Sequence, residues 1–343
     1  MCRAGRGERV RVSPDPGEDD APALGRVDDV GGDTAGAGLP RRAKVGVLLA
    51  LVSAVVYGTA DFLGGLASRR ATVFAVVVRT QAIGLVAVAA LLPWLGGPVT
   101  PADLGWGAAA GLAGGTGLMI FFRALTTGQM SIVAPTTAVT AAAVPVLVGV
   151  AGGDRLGVLA ALGIALALVA VVLVSAEDGL RALRTARPRT LVPALLAGSA
   201  FGLFFVLLDR TGGDAGLTPL VAARAASVAL VLAVVGLVPA APAHTPPGSG
   251  AVLPATGRRA LALPREVLPL VVVSGVADMA ANALYLLALQ TGGPLAVIGV
   301  LASLYPVSTV LLAQLVLRER LGAAQVAGLG VALVAVTLIA APS

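Results

Sequence analysis

The sequence predicts an all-α integral membrane protein with ten transmembrane helices, arranged as two inverted five-helix repeats around a central cavity. The first observation is composition: 57% of the 343 residues are hydrophobic, 12% are charged and the mean hydropathy is +0.94. A soluble domain carries roughly a quarter charged residues, so most of this chain cannot form a water-facing surface. A soluble enzyme is therefore excluded. The other two observations are the lengths of the apolar stretches and an internal repeat.

Ten apolar stretches are long enough to cross the hydrocarbon core of a bilayer, which takes about 20 helical residues. They lie at 45–67, 71–94, 104–125, 129–151, 156–175, 190–208, 217–240, 267–289, 294–317 and 322–341. Two long linkers, 176–189 and 241–266, are rich in arginine or proline and are expected to be exposed loops. Residues 1–43 lack the layout of a signal peptide. Their Gly, Pro, Asp and Arg content predicts a disordered tail, with a mis-called start codon as the alternative.

The second half of the sequence repeats the first. Residues 154–175 and 319–340 are identical at about ten of 22 aligned positions, starting at Asp154-Arg155 over Glu319-Arg320. Because each half holds five spans, an odd number, the second half must enter the bilayer in the opposite direction. The predicted domains are a tail at 1–43, a first repeat at 44–189 and a second at 190–343. Both termini share one side of the membrane, and the arginine distribution leaves open which side.

Four motifs accompany this duplication: Tyr57-Gly58-Thr59-Ala60-Asp61-Phe62, Gly153-Asp154-Arg155-Leu156, Leu304-Tyr305-Pro306-Val307 and Arg318-Glu319-Arg320-Leu321. Together they resemble the drug/metabolite transporter superfamily, specifically its EamA-like ten-span members, over essentially 45–341. The sequence departs from that pattern at Tyr57, where Trp is usual, and at Arg318, where Gly is common. The resemblance implies a multi-pass protein of the plasma membrane (the bacterial inner membrane). It further implies a secondary transporter that exports small metabolites, such as amino acids or amphipathic compounds, by alternating access.

Charged residues inside the spans need an explanation, because each costs roughly 2.5–3.5 kcal/mol at the bilayer centre. Arg79 in span 2 and Arg224 in span 7 occupy equivalent repeat positions. This equivalence predicts one shared role for both, as a gate, as a scaffold pair or as snorkelling side chains. Asp278 at the middle of span 8 and Asp61 in span 1 align with uncharged positions of the other half. They are the better candidates for a site, because the symmetric scaffold does without them.

Two polar stripes run along single helix faces: Ser274, Asp278, Asn282 and Tyr285 in span 8, and Ser53, Tyr57 and Asp61 in span 1. Lipid offers no hydrogen-bond partners, so such stripes should face the bundle interior or a wet cavity. We therefore expect Asp278, Asn282, Tyr285, Asp61 and Tyr57 to bind substrate or couple transport to protons. Asp278 or Asp61 would bind a cationic group or carry the proton. A structural hydrogen-bond network is the alternative.

Small residues and prolines mark expected packing points. Gly111 and Gly115 in span 3, and Gly149 and Gly153 in span 4, have the spacing that lets helices approach closely. Pro306 in span 9 is expected to bend its helix. The turns at Asp154-Arg155 and Glu319-Arg320 are expected to form cap or loop ion pairs.

Several other functions lack their usual residues. The single cysteine and single histidine, Cys2 and His244, exclude an intrachain disulfide and an ordinary zinc or haem site. The only lysine, Lys44, does not follow a phosphate-binding glycine loop. We expect no enzyme activity, no catalytic residues, no cofactor and no metal. The expected partners are a small-molecule substrate, the lipid bilayer and protons, with the oligomeric state left open.

Four other classes of protein fit the sequence less well than a transporter does. A membrane enzyme acting on lipid-linked substrates would need clustered carboxylates, and the acidic runs lie in the predicted tail. A channel would show rings of like charge or a carbonyl filter, and a structural partner has no positive signal. Nucleic-acid binding would need clustered basic residues with stacking aromatics. Here the arginines instead follow the ends of the apolar stretches.

Overall fold

The computed structural model describes residues 41–71, 73–127, 130–175, 187–237, 263–318 and 321–341. Nearly all of the predicted tail lies outside these ranges, as do Cys2, His244, Glu319-Arg320 and most of the two long linkers. Every regular element within the described ranges is a helix. The α-helices are Arg41–Ser68 (α1), Val73–Leu95 (α2), Pro101–Thr127 (α3), Met130–Ala151 (α4), Val158–Ser175 (α5), Pro188–Asp209 (α6), Thr218–Leu237 (α7), Leu268–Gln290 (α8), Leu295–Ala302 (α9), Tyr305–Leu317 (α10) and Ala323–Ala340 (α11).

These helices confirm the predicted all-helical membrane fold. Among the described residues, nine helical segments are long and apolar enough to cross a membrane, with α9 and α10 counted together as Leu295–Leu317. The remaining predicted span corresponds to α7, which holds a shorter apolar stretch at Thr218–Val234. Large apolar side chains cover the outside of the bundle, for example Val86 at 70% and Leu333 at 72% exposed. In a bilayer such side chains face lipid, while the helices satisfy their own backbone hydrogen bonds.

The two halves pack against each other in a reciprocal way. Helix α1 packs on α8 and on the broken pair α9 and α10, and its repeat counterpart α6 packs on α3 and α4. The last span of each half, α5 and α11, pack on one another. Each contact therefore has a counterpart when the halves are exchanged, as expected for inverted repeats.

The ninth span is interrupted near its middle. Helix α9 ends at Ala302, and α10 begins at Tyr305 with Pro306 in its first turn. Proline has no backbone N–H to continue the preceding helix, so the predicted bend at Pro306 takes the form of a break. The other end of α9 is capped from the first half: the Asp154 carboxylate accepts the N–H of Ala296 at 2.9 Å. The expected cap role of Asp154 thus serves a helix of the opposite repeat.

Further hydrogen bonds tie helix ends at the same end of the bundle. The N–H of Leu217 donates to the carbonyl of Leu95 at 2.9 Å, which joins the start of α7 to the end of α2. The amide of Gln290 at the end of α8 donates to the carbonyl of Gly216 at 3.1 Å. Gly216 has a φ of +56° and lies against the backbone of Gly96, where a larger residue would not fit.

Candidate functional site

An ion pair between α7 and α8 lies at the centre of the candidate site. Arg224 donates a hydrogen bond from Nη2 to Oδ2 of Asp278. The two side chains are 11% and 31% exposed, respectively. Asp278 stands at the middle of α8, and the exposed valines Val272, Val273 and Val276 mark the lipid-facing side of that helix. At about 100° per residue, Asp278 lies on roughly the opposite face, so its carboxylate points into the bundle.

Two further polar residues extend this pair to α2. Nη1 of Arg224 donates to Oε1 of Gln81, and Nε2 of Gln81 donates to Oγ of Ser227 at 2.7 Å. Gln81 is 9% exposed and Ser227 is 3% exposed. The sequence interpretation missed both residues. The available signal was an amide side chain in an apolar span two positions after Arg79, but Gln81 belongs to no polar stripe.

Asp61 on α1 faces the interior of the bundle. The exposed apolar side chains of α1 are Val45, Leu48, Val52 and Val55. Asp61 projects from roughly the opposite face, yet its side chain is exposed. The Asp61 carboxylate is therefore accessible to a bound molecule or to water. Among the described residues Asp61 makes no hydrogen bond or ion pair, and it lies close enough to Asp278 to interact electrostatically.

All three tyrosines of the chain lie in one aromatic cluster, which comprises Tyr57, Phe204, Phe205, Tyr285 and Tyr305. The Tyr57 ring lies 6.2 Å from Phe205 and 6.3 Å from Tyr305, and Phe205 lies 4.6 Å from Tyr285. These inclined arrangements are favourable for aromatic pairs. The cluster joins α1, α6, α8 and α10, so both halves contribute to it.

The hydroxyl of Tyr57 is the unsatisfied group of this cluster. It is buried and has no hydrogen-bond partner among the described residues. It lies within electrostatic range of Asp278, Arg224 and Asp61, so it is close to the charged groups of the site. Buried polar groups are nearly always hydrogen-bonded. This hydroxyl is therefore suited to a bound molecule or water. The hydroxyl of Tyr285, in contrast, has a long bond of 3.5 Å to the carbonyl of Phe205.

The remaining members of the polar stripes make structural hydrogen bonds. Ser53 donates to the carbonyl of Ala281, and Ser274 donates to the carbonyl of Ala60, each at 2.8 Å. These two bonds tie α1 to α8 from both directions. The amide of Asn282 donates to the carbonyl of Asp278 within its own helix at 2.7 Å. The predicted stripes therefore do face the interior, and the serines serve the helix contact.

Arg79 and Arg224 make different contacts despite their equivalent repeat positions. Nη1 of Arg79 donates at 3.3 Å to the carbonyl of Ala75 in its own helix. Arg79 shares a face with Val86, which is 70% exposed and lies two turns further along. This placement corresponds to the snorkelling alternative for Arg79, whereas Arg224 enters the site.

The site offers a guanidinium, two carboxylates, a free hydroxyl and several aromatic faces. Such a set can bind a small organic molecule with charged groups and can exchange a proton at a carboxylate. Within the described ranges, no group of three or more His, Cys, Asp or Glu residues is placed to hold a metal ion.

Comparisons with known proteins agree with the fold. The model of a family described as the EamA-like transporter family matches residues 44–176 and again residues 189–341. The chain resembles a protein of known crystal structure with a TM-score of 0.62 and 17% sequence identity, over 86% of this chain and 96% of that chain. At this identity the likeness concerns the fold alone. Among curated proteins, no significant match was found.

Proposed function

Since the chain belongs to the EamA-like transporter family, we propose that it is a proton-coupled secondary transporter that exports a small metabolite from a bacterial cell. The substrate would be an amino acid or an amphipathic compound, moved across the plasma membrane by alternating access. The observation that supports this most is the Arg224–Asp278 pair on inward helix faces within the membrane. Intramembrane charges are costly and mark substrate or ion pathways.

The site has a residue of opposite charge for each charged group of a zwitterionic substrate. Asp61, which has no partner among the described residues, would attract an ammonium group. The Arg224 guanidinium would bind a carboxylate when Asp278 releases it. The rings of Tyr57, Phe205 and Tyr305 would contact an apolar or aromatic portion. The free Tyr57 hydroxyl would supply one further hydrogen bond. First-half and second-half residues share this task, so movement between the halves would change access to the substrate.

Proton coupling would use the same carboxylates. A proton on Asp278 removes the charge that holds Arg224, and a proton on Asp61 removes the attraction for an ammonium group. Either change alters substrate binding, which is the differential interaction that a coupled transporter needs. The break between α9 and α10 at mid-span gives the bundle a discontinuous helix of the kind that transporters use around their sites.

Transport by the purified chain tests the proposal directly. The full chain would be reconstituted in liposomes that contain a pH-sensitive dye and screened with amino acids and amphipathic cations, with and without a pH gradient. We expect saturable, substrate-dependent proton flux for at least one compound. A substrate flux that is the same with and without the pH gradient would contradict proton coupling. The absence of any flux, in liposomes where a known transporter is active, would contradict the proposed function.

The Tyr57 hydroxyl provides a second test. Tyr57→Phe removes a buried hydroxyl that has no hydrogen-bond partner in the part of the chain that the structure describes, so the thermal stability should stay the same or rise slightly. Loss of a hydrogen bond to a charged substrate should raise the half-saturating concentration about tenfold. Thr59→Val is the control on the same helix, because the Thr59 hydroxyl bonds to the carbonyl of Val55 in α1. Equal half-saturating concentrations in Tyr57→Phe and the wild-type protein would show that this hydroxyl does not bind the substrate.

A further inference from the structure

We propose that Gln81 is a positioning residue that keeps the Arg224 guanidinium in the site whenever Asp278 is protonated or engaged by substrate. This inference rests on the proposed function above and concerns a residue outside the polar stripes. Gln81 would act through Arg224, and it would set both the affinity for substrates with an anionic group and the pH range of transport.

The hydrogen bonds of Arg224 divide between two helices. One terminal nitrogen bonds to Gln81 on α2 and the other to Asp278 on α8. Arginine only donates, so the carbonyl oxygen of the Gln81 amide must face it. The amide nitrogen then faces Ser227, which accepts at 2.7 Å and fixes the amide orientation. Gln81 is thus held in the orientation that serves Arg224.

A buried guanidinium that loses its only partner is strongly unfavourable. When Asp278 is neutralised, the Gln81 carbonyl remains as an acceptor and keeps Arg224 directed into the site. Arg79 shows a guanidinium that is directed away from the site. At the equivalent repeat position, it donates to a backbone carbonyl of its own helix. A neutral amide is suited to this task, since it holds Arg224 without cancelling the charge that an anionic group would bind.

Other titratable groups lie near the pair. Asp61 and Tyr57 of α1 and Tyr285 of α8 lie within electrostatic range of the pair or of its direct neighbours. Gln81→Leu leaves all three in place and adds no titratable group, so a change in its pH profile would report on Arg224 and Asp278.

A stability cycle tests the inference without any substrate. The full chain would be prepared in detergent as Gln81→Leu, Asp278→Leu and the double variant, and the melting temperatures compared with the wild type. If Gln81 and Asp278 each hold Arg224 in the absence of the other, the double variant should lose more than the sum of the two single losses. Additive losses, or a double loss smaller than the sum, would overturn the inference.

Transport adds a readout that a purely structural role would not change. In folded Gln81→Leu we expect about a tenfold rise in the half-saturating concentration of a transported substrate with a carboxylate. Gln81→Glu would give Arg224 a second carboxyl group, which in its ionised form competes with Asp278. The midpoint of the pH profile should then move upward by about one unit. Thr80→Val is the control, because the Thr80 hydroxyl bonds to Val77 of its own helix.

The two tests separate the inference from the proposed function. If the wild-type chain transports no compound while the stability cycle exceeds additivity, the proposed function fails and the bonding role of Gln81 stands. If the wild type transports while Gln81→Leu keeps its affinity and pH profile, the inference fails alone.

Discussion

Asp278→Asn should abolish proton-coupled transport and lower the stability of the folded protein by about 3 kcal/mol, the low end for breaking a buried ion pair. The substitution removes the charge that pairs with Arg224 and leaves the guanidinium without its ion-pair partner. The expected stability loss lies at the low end because the Asp278 side chain is 31% exposed and because Gln81 still accepts from Arg224. Uptake into proteoliposomes and thermal unfolding in detergent measure the two effects separately.

The double replacement Arg224→Met with Asp278→Leu separates stability from function. Replacing both members of a buried pair by apolar residues of similar size is often neutral or stabilising. We therefore expect near wild-type melting but no transport. Arg79→Met is the control for loss of a positive charge at the equivalent repeat position, and it should retain transport. Unchanged uptake and unchanged pH dependence in Asp278→Asn would remove Asp278 from the mechanism.

The overall architecture could be predicted from the sequence because it depends on two signals, hydropathy along the chain and the internal repeat. Hydropathy over about 20 residues locates the spans, and the repeat implies the reciprocal packing of α1 on α8 and α6 on α3. The inward direction of Asp278 also follows from helical periodicity within one span. These properties depend on one helix at a time or on similarity between the halves.

The partners within the site could not be predicted in the same way. The bonds from Arg224 to Gln81 and Asp278 depend on the relative heights of three packed helices, which periodicity does not specify. The repeat was misleading for Arg79, because equivalent backbone positions have different neighbours in the two halves. Tyr305 belongs to one of the motifs of the family resemblance, but its contact with Tyr57 depends on the broken ninth span.

Close packing of α3 on α7 positions Arg224. A Cβ on Gly111 would lie 2.7 Å from the Cα of Ala223 and would overlap the carbonyl oxygen of that residue. Carbon atoms in favourable contact are about 3.5–4.0 Å apart. Ala223 directly precedes Arg224, so a shift of α7 at this point would also move the guanidinium. Gly115, one turn further on, lies against Ser227, which confirms the close approach expected from the spacing of the two glycines.

Gly111→Ala should therefore destabilise the protein, by about 1–3 kcal/mol from overpacking, and should reduce transport. Gly105→Ala on the same helix is the matched control, because no neighbouring atom of the described residues lies within 4 Å of a Cβ at that position. Alanine favours a helix over glycine by about 0.5–1 kcal/mol, so the control should be neutral or stabilised. The two variants make the same chemical change, and unfolding in detergent should show opposite signs. Equal melting temperatures would mean that α3 and α7 can separate at Gly111 without cost, and Arg224 would then need another support.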